Sequence, residues 1–194
     1  MKLPVKERIL TTADELFTQR GYGNVGINEI IARSGAAKAS FYQYFPSKDS
    51  LCLAWLERWH EKTEAECEAL LNSSGGGEKK ILRFFEDLKP FLEEGGFRGC
   101  PFSNTAGFLG ENNDPRIREI ILKHKDYQRQ FLIDLARNFT TPARADKLGS
   151  ALFLLYSGAT TESQNQRSTW PVDRALPAAR KLIKADKPVP AGVG

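Results

Sequence analysis

From Lys38 to Phe45 the chain runs Lys-Ala-Ser-Phe-Tyr-Gln-Tyr-Phe, and its polar side chains are of the kinds that read a nucleic-acid duplex. Gln43 could bond adenine through two hydrogen bonds, Lys38 could reach O6 and N7 of guanine, and Ser40 could bond either type of base. Tyr44 adds a fourth polar group, and the methyl of Ala39 could meet the methyl of thymine. Phe41 and Phe45 stand at i, i+4, so one helical turn carries both inward and leaves the polar residues on or near the opposite face. A short helix of this kind is the shape that enters a DNA major groove.

A seven-residue helix does not stand alone, so its neighbours must hold it. Ile27, Ile30 and Ile31 repeat at helical spacing and predict a preceding helix with one buried face. Gly35 follows them where a left-handed C-cap is needed, and Pro46 stops the second helix because the residue before proline avoids α geometry. Upstream, Val5, Ile9, Ala13, Leu16 and Phe17 form one face of a helix to Arg20, ended by Gly21, with Tyr22 packing over the junction. Downstream, Ser47 can cap a fourth helix running to about Asn72, with Asp49 favourable in its first turn and Leu51, Trp55 and Trp59 on one side.

Glu7-Arg8-Ile9-Leu10, Ala13, Leu16-Phe17, Gly21-Tyr22, Ile30, Gly35, Phe41-Tyr42, Tyr44-Phe45 and Ser47-Lys48-Asp49-Ser50-Leu51 together resemble the amino-terminal DNA-binding domain of the TetR family of bacterial repressors. The likeness spans about Val5 to Leu56. It implies an all-α homodimer: a three-helix helix-turn-helix domain over residues 1–47, and a larger helical ligand-binding and dimerisation domain over 48–186. It also implies that Tyr42 and Lys48 hold backbone phosphates, with the amide end of the fourth helix assisting Lys48. Asn28, opening the first helix of the motif, is a further phosphate candidate. The chain departs from the family where Gly26 and Ala37 replace the usual Ser or Thr caps, and where Ile31 and Ala39 replace small residues. An alanine at the cap forgoes a side-chain hydrogen bond, at about 1 kcal/mol.

The 194 residues suffice for one or two domains, and the composition, 41% apolar and 27% charged, is that of a globular protein. The net charge of +4 admits a polyanionic partner, but up to Leu51 seven basic residues oppose five acidic ones. Affinity for DNA must then come from placed contacts and dimerisation. Cys52, Cys67 and Cys100 are odd in number and scattered, which fits a reducing cytosol and no disulfide framework. With no apolar leader and no run of about twenty apolar residues, the chain is expected to be cytoplasmic and neither secreted nor membrane-bound. It has two histidines, no phosphate-cradling glycine loop, no nucleophile elbow and no metal-spaced Cys/His cluster, so neither an enzyme nor a cofactor is expected.

The remainder reads as further helices, about nine in all. Ser73 to Gly77 is a flexible connection, and Glu78 to Glu94 a helix that Pro90 kinks near its end. Phe102 to Gly110 is a short helix; Asp114-Pro115, Thr141-Pro142 and Trp170-Pro171 open three more. On the helix after Pro142, Leu148, Leu152, Leu155 and Ala159 form one seam and Gly149, Phe153 and Tyr156 another, enough to face both the subunit's own core and a partner. The family likeness places the dimer contact on the last two helices. The tail, 187–194, is expected to be flexible.

Aromatic stripes at helical spacing are usually core, yet a cavity between bundle helices is a common ligand site. The candidate wall comprises Trp59, Phe84, Phe85, Leu88, Phe102 and Phe108, with Phe131 and Phe153. Asn104, His124, Tyr127 and Tyr156 would supply its polar contacts. Such a wall suits a small apolar or aromatic effector. The expectation is a transcriptional repressor that binds a pseudo-palindromic operator as a dimer and is released by that effector. The competing expectation is a DNA-binding regulator without a small-molecule inducer, controlled by a protein or by cysteine oxidation, or acting as an activator.

Overall fold

Proline and glycine set most of the helix boundaries. The structure, a computed structural model, describes residues 3–186, so the tail expected to be flexible lies outside the described residues. Among these the chain is helical with no strand: α1 (Val5–Arg20), a 3-10 turn (Tyr22–Asn24), α2 (Ile27–Ser34), α3 (Lys38–Tyr44) and α4 (Lys48–Asn72). Then follow α5 (Gly77–Glu86), α6 (Leu88–Glu94), α7 (Pro101–Ala106), α8 (Pro115–Arg137), α9 (Pro142–Gln166) and α10 (Trp170–Ala185). Pro101, Pro115, Pro142 and Pro171 each stand at the start of a helix, where the missing N–H has no intrahelical partner to lose.

Two boundaries differ from the sequence expectation, for local reasons. The helix expected over Glu78–Glu94 is two helices that meet at Asp87, which makes ten α-helices among the described residues. Pro90 cannot donate to the carbonyl of Glu86 and its ring crowds that carbonyl, so the break falls one turn upstream of the proline. The helix expected to reach Gly110 stops at Ala106.

Two compact units share the chain. The first comprises residues up to Glu64 with Cys100–His124, and the second Ala65–Gly99 with residues from Lys125 onward. In the first, Ile9, Leu16, Phe17, Ile30, Phe41, Phe45, Leu51 and Trp55 pack with Phe102 and Ile117 into one core. The unit that holds the helix-turn-helix therefore extends past residue 47, taking in most of α4, α7 and the first half of α8. In the second, Ile81, Phe85, Leu88, Leu92, Leu132, Leu148, Leu152 and Ile183 form a separate core. On α9, Leu148, Gly149, Leu152 and Ala159 are buried, whereas Phe153, Leu155 and Tyr156 are half-buried and Leu154 is exposed. No helix among the described residues is long and apolar enough to cross a membrane.

Candidate nucleic-acid interface

The turn between α2 and α3 is made by Gly35, whose left-handed backbone (φ 62°) closes α2 and lets the chain reverse within three residues. Arg8 of α1 fixes this corner: its Nε donates to the carbonyl of Ser34 at 3.1 Å and its Nη2 to that of Gly35 at 3.2 Å. These are carbonyls that the end of a helix leaves without partners. At the other end of α2, Arg20 pairs with Glu29 at 2.6 Å and donates to the carbonyl of Asn24. One brace helix thus holds both ends of α2.

Phe41 is fully buried and Phe45 nearly so, which turns the rest of α3 outward. Lys38, Ala39, Tyr42, Gln43 and Tyr44 are exposed, and Ser40 is half-buried. Asn28, at the second position of α2, is exposed as well. Neither Gly26 nor Ala37 makes a side-chain cap, as their residue types dictate.

Lys48 opens α4, where Ser47 caps the helix: Ser47 Oγ accepts from the amide of Ser50, and Ser50 Oγ accepts from the amide of Ser47, both at 3.0 Å. The Lys48 ammonium lies 4.4 Å from the centre of the Tyr22 ring, a cation–π contact, and 3.5 Å from the carbonyl oxygen of Gly23. Burial lowers its pKa, while nearby Cys52 and Asp49 act to raise it.

Asp49 has a larger part than its residue type suggested. Its carboxylate accepts a hydrogen bond from the Tyr22 hydroxyl, bonds from Asn113 Nδ2 at 3.3 and 3.2 Å, and one from the Asp114 amide at 2.7 Å. Burial alone would raise its pKa, but donation from Tyr22, from the Asp114 amide and from Asn113 holds it below the ordinary aspartate value of 3.8. Tyr22 is pushed the opposite way, by burial and then by the Asp49 carboxylate. A folded-state pKa below the unfolded one contributes stability that is complete above the unfolded value and lost as pH falls through the folded one. Asp49→Asn presents an amide N–H₂ to a set of donors, so it is expected to destabilise the protein by about 1–2 kcal/mol at pH 7. Urea melts should show this gap from wild type shrinking below about pH 4.

The residues expected to wall a ligand site fall into both units. In the second, Phe84 lies 4.5 Å from the Tyr156 ring and 5.6 Å from that of Phe131, and Phe85 meets Tyr156 edge-on at 5.6 Å. Leu88 is buried in the same core, and Tyr127 and Phe153 pack against it half-buried. In the first unit, Phe102 stacks on His124 with ring centres 3.5 Å apart. Asn104 is half-buried. Trp59 is turned to α1, its Nε1 donating to Asp14 at 2.8 Å beside the Trp55 indole at 2.7 Å. Phe108 is exposed and lies over Gly21 and Gly23, beside the helix-turn-helix.

His60 belongs to no motif in the sequence. The two histidines of the chain meet, with Nδ1 of His60 3.4 Å from Nδ1 of His124, and both are buried. Because one nitrogen must donate and the other accept, the pair holds complementary tautomers, and burial lowers the pKa of His60. Beside it a groove of about 560 Å³ runs between α4 and α8, lined by Glu57, His60, Glu61, Glu64, Glu119 and the cations Arg116 and Lys123. No sequence signal links positions 64 residues apart. No group of three or more His, Cys, Asp or Glu among the described residues is arranged to hold a metal.

Residues 9–55 match the model of bacterial regulatory proteins of the tetR family. Over 189 residues the chain is 28% identical to the HTH-type transcriptional repressor NemR of Escherichia coli, covering 92% of this chain and 93% of that protein. It is 25% identical to the uncharacterised HTH-type regulator YxaF of Bacillus subtilis, over 86% of this chain and 88% of that one. Among solved structures, a TetR-family transcriptional regulator of Streptomyces coelicolor superposes with a TM-score of 0.85 at 23% identity, covering 94% and 95% of the two chains. The reduced form of E. coli NemR gives 0.79 at 24% identity, over 97% and 100%. The helix-turn-helix built on α2 and α3 and the family match across it agree: residues 9–55 form a DNA-binding domain of the TetR family, and the chain shares the all-helical fold of TetR-family regulators.

Proposed function

We propose that the protein is a dimeric repressor that places α3 of each subunit in successive major grooves of a pseudo-palindromic operator. The observation that carries this reading is the outward set of Lys38, Ala39, Tyr42, Gln43 and Tyr44 over the buried Phe41 and Phe45. Lys38, Ser40, Gln43 and Tyr44 read base edges, with Ala39 offering its methyl group. Tyr42, Lys48 and Asn28 hold phosphates, which fix register without carrying sequence information. The dimer forms through α9 and α10, where Leu154, Trp170 and Leu182 are exposed. A small apolar or aromatic effector releases the DNA by preferring a different arrangement of the subunits, and the aromatic cluster around Phe84, Phe85 and Tyr156 supports that ligand class.

Repeated selection of duplexes from a random-sequence library by the purified protein tests this reading. The expected product is a two-fold symmetric site whose half-site centres lie one turn apart, roughly 34–36 Å. Failure to converge, or convergence on a single unpaired half-site, overturns it. Cysteine control is favoured by a different observation: Cys52 and Cys67 are buried, whereas Cys100 is half-buried between Gly99 and Pro101. Release of the selected duplex by apolar aromatic compounds under reducing conditions separates the two readings.

A further inference from the structure

We infer that Phe108 and Asn113, on the loop joining α7 to α8, are positioning residues for DNA contact and act through Lys48. This deepens the reading above and rests on it. Lys48 leans on two groups, the ring of Tyr22 and the carbonyl of Gly23. The loop grips both.

Asn113 takes the first. Its Nδ2 donates to the Tyr22 hydroxyl at 3.2 Å and to both oxygens of Asp49, and its Oδ1 accepts from the amide of Gly110 at 2.9 Å, so the loop is folded around this one side chain. The Tyr22 ring is thereby held by its hydroxyl at the angle that puts its face under the ammonium. Phe108 takes the second. Its ring fills the space over Gly23, where any Cβ would collide with it, and a Cβ on Gly21 would come within 3.3 Å of the same ring. The absence of side chains at Gly21 and Gly23 makes a notch, and Phe108 closes it although the residue remains 47% exposed.

Asp49, next to Lys48 in the chain, accepts from the amide of Asp114, so the loop also fixes the first turn of α4 at its backbone. An ammonium held between a ring face and a carbonyl keeps few of the rotamers open to a free lysine side chain, which otherwise loses up to about 2 kcal/mol of conformational freedom when it is fixed. With the loop in place the side chain is arranged before DNA arrives. With the loop displaced, its flexibility returns and the phosphate contact weakens.

The test is a double-mutant cycle on the duplex selected by the wild-type protein. Asn113→Ala and Phe108→Ala are each measured with Lys48 present and with Lys48→Ala, over a series of salt concentrations. With Lys48 present, each loop variant is expected to bind about three- to tenfold more weakly, and the salt slope is expected to flatten by roughly 1–2 for the two lysines of a dimer. In the Lys48→Ala background the same loop changes should alter affinity less than about twofold, because the group they position is gone. A role in folding alone gives equal losses in both backgrounds, and that result overturns the assignment, as does an unchanged affinity when Lys48 is present. Phe108 lies outside the buried core, so its variant keeps the cycle decisive should Asn113→Ala lower stability. Failure of the library to yield any site defeats the DNA-binding reading itself, whereas a selected site with additive losses defeats the loop assignment and leaves that reading standing.

Discussion

Gly149→Ala is expected to lower the thermal midpoint by about 2–8 °C, opposite in sign to what helix propensity gives. Gly149 lies inside α9, and in an exposed helix interior alanine is favoured over glycine by about 1 kcal/mol. Here there is no room for the methyl group. A Cβ at Gly149 would lie 2.5 Å from Cγ1 of Ile133 and 2.6 Å from both its Cα and its backbone nitrogen. A flexible side-chain end could step aside, but two of the three nearest atoms are main chain of α8, held in its helical ladder and buried. The helices must separate. Overpacking of a tight core costs about 1–3 kcal/mol, occasionally more, and here it must first cancel the gain in propensity. Differential scanning calorimetry at fixed protein concentration is the measurement, since the midpoint of the proposed dimer would depend on concentration. A midpoint equal to or above that of wild type would mean that α8 and α9 can part freely at this crossing.

The sequence revealed what is local and concealed what is not. Gly35, Phe41 and Phe45, and the prolines that open α7, α8, α9 and α10 act within a turn or two of themselves, so the helix-turn-helix and most helix starts could be read directly. Pro90 marks a disturbance in the sequence, but the break falls one turn earlier, because the carbonyl it leaves unpaired belongs to Glu86. Asp49 looked like a favourable first-turn acid. Its partners Tyr22, Asn113 and Asp114 are 27, 64 and 65 residues away, and nothing in the chain's periodicity joins them. Phe108 illustrates the same limit from the other side. An aromatic residue in a helical stretch reads as wall or core, but once α7 ends at Ala106 its ring belongs to the loop and reaches Gly23. The exposed polar face of α3 was therefore legible, while the groups that hold Lys48 were not.

Leu154→Glu is expected to convert the protein to a monomer at micromolar concentration and to weaken operator binding by about two orders of magnitude or more. Leu154 is 69% exposed midway along α9, a helix whose opposite side is buried against its own unit. A single exposed leucine needs no explanation. This one shares its helix face with Gly158, at which a Cβ would meet nothing within 4 Å, and α9 packs along α10, which exposes Trp170 and Leu182. Apolar and small residues together on two adjacent helices make a surface that a second copy can approach closely. If α9 and α10 meet their symmetry mates there, a glutamate at 154 brings two carboxylates into an apolar contact, and each must shed water without a cationic partner, at several kcal/mol. Losing the pair uncouples the two half-sites, so each α3 binds alone at its own weak affinity and the gain from linkage disappears. Leu122→Glu changes a leucine of α8 that is 58% exposed and supplies the contrast, since it should leave the dimer and its operator affinity unchanged. Sedimentation of both variants, with binding to the selected duplex, decides the matter: a Leu154→Glu protein that remains dimeric and binds normally would place the subunit contact on another surface.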